Sequence, residues 1–140
     1  MTDRIRVVAG LAVDHNNHVL VAKRPPDKKR PDMYEYPGGK VERAEGDETA
    51  LAREWMEELK ITPSVRRRIA RVTFDLESQV VISLFHVVIG AQVPEAVEHT
   101  DLLWVDPLYA VERLACVPSL YLFFPTVKAF LRNLAKDAPR

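Results

Sequence analysis

The chain has 140 residues, with 20 Lys plus Arg against 20 Asp plus Glu, so its formal net charge is zero. That balance excludes a global field drawing in nucleic acid or an anionic membrane; any affinity for phosphate must be local. A hydrophobic share of 47% and a charged share of 29% fit one globular domain over residues 1–140, long enough to bury a core.

The first apolar run, Val7 to Val13, is broken by Asp14 and is too short for a signal core or a membrane span. "IRVVAGLAV" (5–13) and "HVLVAKR" (18–24) are β-branched runs around Asp14-His15-Asn16-Asn17, which predicts a hairpin. A Pro- and Lys-rich loop, Arg24 to Asp32, leads into a short strand "MYEYP" and a Gly38-Gly39 turn. From Gly46 to Lys60 the period is helical: Leu51, Ala52, Trp55, Met56 and Leu59 fall within one arc, with Gly46 as N-cap and Asp47 and Glu48 suiting the positive helix start. "RRIARVTFDL" and "QVVISLFHVVIG" predict a second hairpin turning at Glu77-Ser78, and "LLWV" a further short strand. "DPLYAVERL" predicts a short helix with Asp106 as cap and Pro107 at its first position, and Tyr121 to Leu134 a final amphipathic helix with Pro125 near its start. The order implies an α+β fold with a largely mixed sheet. Cys116 is the one cysteine and stands at no metal-type spacing to a histidine, which suits a reducing, cytoplasmic setting.

The chemistry concentrates in the first helix. Glu54, Glu57 and Glu58 stand at i, i+3 and i+4 and share one face opposite the apolar arc. One reading is a solvated acidic face. The other is a cation site, because Mg²⁺ and Mn²⁺ take carboxylate and carbonyl oxygens and keep water positions that a phosphate replaces. Gly38-Gly39 favours the second reading, since glycine lets a backbone carbonyl approach a ligand. The glycines do not form a Walker phosphate loop: Val41 stands where Ser or Thr is required.

Gly39, five residues, Glu45, seven residues, then Arg53-Glu54-Trp55-Met56-Glu57-Glu58-Leu59-Lys60-Ile61 resembles the Nudix box of the Nudix hydrolases. Every charged position of that pattern is filled, and the departure is Lys60, where the family has the glycine that ends the helix. Lysine there implies either a different helix end or a strain cost. "KRPPDKKRPDMYEYPGGKVE" and "EHTDLLWVDP" extend the likeness to small MutT-type nucleoside triphosphate pyrophosphohydrolases over essentially the whole chain.

The resemblance implies an αβα sandwich around a mixed sheet. It implies Mg²⁺ (or Mn²⁺) held by Glu57 and Glu58, with Glu54 as a further ligand or base and the Gly38 carbonyl as another ligand. Arg53 would orient the box carboxylates, with Glu45 in support. Glu98 is either a base or extra ligand, or an exposed loop acid beside Glu95. Arg24 and Lys40 are expected on the phosphates; Lys23, Lys28 and Lys29 are either phosphate contacts or a solvated turn. For the base, Phe123 offers a stacking face, Glu35 a polar contact, and Val7 and Ile5 a wall, with Ser119 or Tyr121 as further polar candidates. No Asn or Asp precedes the last helix, which argues against 8-oxo-guanine specificity. The implied activity is hydrolysis of a (deoxy)nucleoside triphosphate to monophosphate and pyrophosphate, with housecleaning of modified nucleotides as one role. The alternatives are another nucleoside diphosphate-X substrate, such as a nucleotide sugar or a 5′-triphosphate RNA end, or a non-catalytic nucleotide-binding module. The expected partner is a nucleotide, not a membrane, and the expected state a monomer or homodimer.

Overall fold

The computed structural model describes residues 4–137; the outermost positions of the expected domain lie outside them. Seven strands and three helices follow in the order β1 (Arg4–Ala12), β2 (Val19–Lys23), β3 (Tyr34–Glu35), β4 (Gly38–Lys40), α1 (Asp47–Leu59), β5 (Ser64–Asp75), β6 (Gln79–Val88), β7 (Asp101–Val105), α2 (Pro107–Arg113) and α3 (Pro118–Asp137). The expected mixed sheet has the order β4-β1-β6-β5, with β1 parallel to β6 and the other pairs antiparallel. A second, antiparallel sheet has the order β3-β2-β7.

β2 and the inner parts of β1 and β6 are buried on both faces, and alternation divides their side chains between two cores. Val8 and Ala12 of β1, Leu20 of β2, and Phe85 and Val87 of β6 pack with Ala50, Leu51, Trp55 and Leu59 of α1. Their strand neighbours Ala9, Leu11, Val19, Val21 and Leu84 pack with Leu120, Phe123, Val127 and Phe130 of α3. Helices on either side of sheet are thus written into the apolar runs, whose residues serve both faces.

Several expectations change. β1 and β2 are not a paired hairpin: they meet through a Val13–Val19 bridge and the Asp14 turn, then enter different sheets. β5 and β6 do form a hairpin, with Asp75 opposite Gln79. Met56 falls outside the buried arc and is exposed. α3 starts at Pro118, so Pro125 lies inside it, on the exposed side where loss of one N–H donor is tolerated. Among the described residues no helix is long and apolar enough to cross a membrane.

Candidate active site

Three contacts fasten α1 and its approach to β1 and to the glycine turn. Arg6 of β1 bonds Asp47 Oδ1 at 2.8 Å and the Glu45 carbonyl at 2.9 Å, fixing the approach to the helix. Trp55, wholly buried, donates its indole N–H to the Pro37 carbonyl at 2.8 Å, which also accepts from the Gly10 N–H at 2.8 Å. A Cβ at Gly10 would strike that indole, so β1 needs glycine where the ring crosses it. The pair after Pro37 is glycine for two separate reasons: a Cβ at Gly38 would run into the Val8 carbonyl, and one at Gly39 would lie 2.6 Å from Glu54 Oε1. β4 is an edge strand; its Lys40 carbonyl accepts from Arg53 Nη2 at 3.2 Å, and strand alternation turns the Gly38 carbonyl toward the same edge.

Arg53 is the hub of the site. Its Nε and Nη2 grip both oxygens of Glu45 at 2.8 and 2.9 Å, a bidentate fork. Nη1 reaches Glu54 Oε1 at 2.9 Å and, more loosely, Glu57 Oε2 at 3.5 Å. The Arg53 bonds, then the Glu42 N–H, hold the Glu45 carboxyl down at about 2, while the Glu45 bond pushes the guanidinium further above its ordinary range. These groups are charged and paired.

The acidic face is neither solvated throughout nor neutralised. Glu57 is exposed, but Glu58 Oε2 is buried with no hydrogen-bond partner among the described residues. Burial first, then the charges of Glu54, Glu35, Glu98 and Glu57, pushes the Glu58 carboxyl up to about 9. Burial also raises Glu54, against the opposing pull of Arg53. Among the described residues no three His, Cys, Asp or Glu side chains are drawn together as a ready metal site. The donor chemistry nevertheless fits a hard divalent cation: four other carboxylates bear electrostatically on Glu58, whose buried Oε2 has no partner among the described residues.

Glu98 is exposed in the loop between β6 and β7 and acts on both Glu54 and Glu58. Two bonds fasten that loop to the end of α1: Glu95 N–H to the Leu59 carbonyl at 2.9 Å, and Val97 N–H to the Glu58 carbonyl at 3.2 Å. Lys60 does not change the helix end. It adopts φ 59°, ψ 35°, with its N–H on the Met56 carbonyl and the Ile61 N–H on Trp55, so the left-handed cap is kept and the strain is accepted.

The Gly38-Gly39 turn, packed against Glu54, opens on its other side onto a cavity of about 510 Å³, in the range of small-molecule sites; Glu54, Glu57, Glu58 and Glu98 are not among its lining residues. Arg24, Lys29, Arg30 and Lys40 form its basic side, together with Gly38, Gly39 and Glu35. Val7, Phe74, Ile82, Val117 and Phe123 form its apolar side. Ser119 lines it, whereas Tyr121 spends its hydroxyl on the Leu114 carbonyl and the Cys116 N–H, closing the α2–α3 turn. Ile5, Lys23 and Lys28 are not among the lining residues. Arg30, Phe74 and Ile82 carried no sequence signal of their own; the hairpin and the loop bring them in. His99 was also missed, because a lone histidine in "EHTD" has no spacing to read. It is buried, with Nε2 3.1 Å from Glu35 Oε2.

The NUDIX domain model matches residues 3–119, and the chain belongs to the Nudix hydrolases. Within that family it is of MutT type. It is 31% identical over 109 residues to the CTP pyrophosphohydrolase of Escherichia coli K12, covering 77% of this chain and 80% of that one. It is 35% identical over 60 residues to the 8-oxo-dGTP diphosphatase of the same organism, covering 43% and 46%. Among solved structures, the MutT protein of Methanosarcina mazei Go1 superposes with a TM-score of 0.78 at 25% identity, covering 95% and 96%. The E. coli ORF135 protein superposes with a TM-score of 0.74 at 28% identity, covering 99% and 96%.

Proposed function

We propose that the protein is a Mg²⁺-dependent pyrophosphohydrolase that cleaves nucleoside triphosphates to a monophosphate and pyrophosphate. The observation that carries this reading is Glu58, a buried carboxyl with an oxygen unpartnered among the described residues, joined through Gly39 and Glu35 to a cavity with a basic wall and an apolar one. A triphosphate complements the first wall, and a base the second.

Glu57 and Glu58 would hold the cation, with Glu54, Glu98 and the Gly38 carbonyl as further donors; Mn²⁺ has the same donor preference. Bound there, the ion supplies Lewis-acid polarisation of phosphoryl oxygens and lowers the pKa of water. Arg53 and Glu45 aim the carboxylates. Glu54 or Glu98 accepts the proton of the attacking water. Arg24 and Lys40, joined by Lys29 and Arg30, hold the phosphate tail by charge-assisted hydrogen bonds. Val7, Phe74 and Phe123 enclose the base, and Ser119 offers it one hydroxyl. A hydroxyl donates or accepts, so it discriminates bases less sharply than an amide or carboxylate would.

The relatives named for CTP and for 8-oxo-dGTP support the substrate class without selecting one base. A long RNA is not favoured. Arg66 and Arg67, the other basic cluster, line a separate pocket with His86 and Phe130 that shares no residue with the cavity. The test is a panel of canonical and oxidised nucleoside triphosphates, nucleotide sugars and 5′-triphosphate RNA, with Mg²⁺ or Mn²⁺ and product identification. Pyrophosphate release from a nucleoside triphosphate is expected; turnover of sugars or RNA alone would overturn the reading.

A further inference from the structure

His99 lies behind the cavity wall rather than in it. Its imidazole is buried, Nε2 stands 3.1 Å from Glu35 Oε2, and Nδ1 has no partner among the described residues. The other Glu35 oxygen, Oε1, accepts from Arg24 Nη1 at 2.8 Å. Arg24 Nε donates in turn to the Lys29 carbonyl at 2.7 Å. The chain His99–Glu35–Arg24 therefore fixes Nη1, and the Lys29 carbonyl fixes Nε. Nη2 has no protein partner among the described residues, and Arg24 lines the cavity.

We propose that His99 is a positioning residue: it fixes the Glu35 carboxylate, which holds the Arg24 guanidinium with Nη2 left for a phosphate oxygen of the nucleotide. The inference rests on the phosphate role given to Arg24 above. Glu35 is an acceptor on both oxygens, so the His99 contact assigns the proton to Nε2. Without that bond the carboxylate is free to rotate about its last torsion, and Arg24 follows it. A histidine that merely filled space would leave Nδ1 buried and unsatisfied for nothing, a cost that an apolar side chain avoids. The backbone supports the same chain: Thr100 N–H bonds the Lys23 carbonyl at 3.1 Å, tying the residue after His99 to the residue before Arg24. Glu98, the preceding residue, acts on the carboxylate cluster. Adjacent residues of one loop thus serve the acidic and the basic halves of the site.

The experiment measures steady-state kinetics of the full chain on the best nucleoside triphosphate of the panel, and binding of inorganic triphosphate by calorimetry. His99→Leu should raise KM and weaken inorganic triphosphate binding by about 10-fold, with kcat changed far less, the lower end of what outer partners of a site contribute. His99→Gln, which keeps an N–H donor near Nε2, should restore most of the loss. In an Arg24→Ala background His99→Leu should cost nothing further, because the group it positions is gone. Unchanged KM, an equal loss in the Arg24→Ala background, or a loss confined to kcat would each overturn the proposal. Should His99→Leu fail to fold, His99→Asn, too short to reach Glu35, carries the same comparison. A wild-type protein inactive on every nucleoside triphosphate would overturn the proposed function; an active one with His99 and Arg24 uncoupled overturns this inference alone.

Discussion

Arg53 and Glu58 sit little more than one turn apart on α1, and their surroundings are opposite. Arg53 gives every guanidinium nitrogen to an acceptor: Glu45, Glu54 and the Lys40 carbonyl. Glu58 has a buried oxygen with no partner and four acidic neighbours that raise its carboxyl. A fold optimised for stability alone would treat both alike, because a buried, unpartnered carboxyl costs stability near neutral pH, where it must take up a proton to fold. The contrast separates two tasks on one helix. The Arg53 side holds geometry, and the Glu58 side stores an unmet demand for positive charge that a ligand can satisfy.

That contrast predicts opposite responses to neutral substitution, and Glu58→Gln gives the largest. Turnover should fall by about 10³-fold or more, beyond the range of outer partners, because the donor proposed to hold the cation directly is lost. The metal-free protein should melt at a higher temperature than the wild type at pH 7, since the wild-type carboxyl, raised to about 9 in the fold, must take up a proton on folding and the amide need not. Calorimetry at pH 7 without divalent ions and a turnover assay with Mg²⁺ check the pair. A lower melting temperature would break the comparison, for it would mean Glu58 is already satisfied by the fold.

Next in size is Gly39→Ala. The new Cβ would meet the Glu54 carboxyl at 2.6 Å from Oε1, so Glu54 must move, and with it the Arg53 bond. Displacing an aligned group by about 1 Å costs on the order of 10²-fold in rate. Turnover should fall by that amount while far-ultraviolet circular dichroism is unchanged. Full activity would show that Glu54 has room to move without consequence.

Arg53→Lys tests the paired side. Lysine keeps the charge and loses the fork, so it cannot hold Glu45 and Glu54 together. Stability should drop and turnover should fall by about 10-fold, with Arg53→Ala worse on both counts. Denaturant unfolding reads the first and initial rates the second. A stable, slow enzyme would show that Arg53 acts on the chemistry alone.

How much of this was legible depends on whether the signal was local. The α1 period, the Gly46 cap and the box spacing all lie within one contiguous stretch, and so the carboxylates and their arginine could be named from it. The β5–β6 hairpin was readable for the same reason. β1 and β2 were not, because alternation in a buried strand is identical whether it pairs with its neighbour or with β6, far along the chain. Met56 stood at the edge of the apolar arc, where 100° per residue does not decide between core and solvent. His99 and Arg30 acquire meaning only when Glu35, Arg24 and the cavity are brought together, a juxtaposition no local pattern encodes.

The smallest effect lies where the box departs from its family. Lys60 holds a left-handed conformation that costs a side-chain-bearing residue about 1 kcal/mol. The cap is kept because it consumes the Trp55 and Met56 carbonyls and leaves those of Glu58 and Leu59 for the loop carrying Glu98 and His99. Lys60→Gly should therefore stabilise the protein by somewhat under about 1 kcal/mol, after the greater freedom of glycine in the unfolded chain is subtracted. Denaturant melts measure it, and turnover should be unchanged, since the same carbonyls remain presented. Lower stability would mean that the lysine charge at the helix C-terminus outweighs its backbone strain. Lower turnover would mean that the cap constrains Glu98 more tightly with lysine than with glycine, which would extend the geometry-holding region from Arg53 to the end of α1.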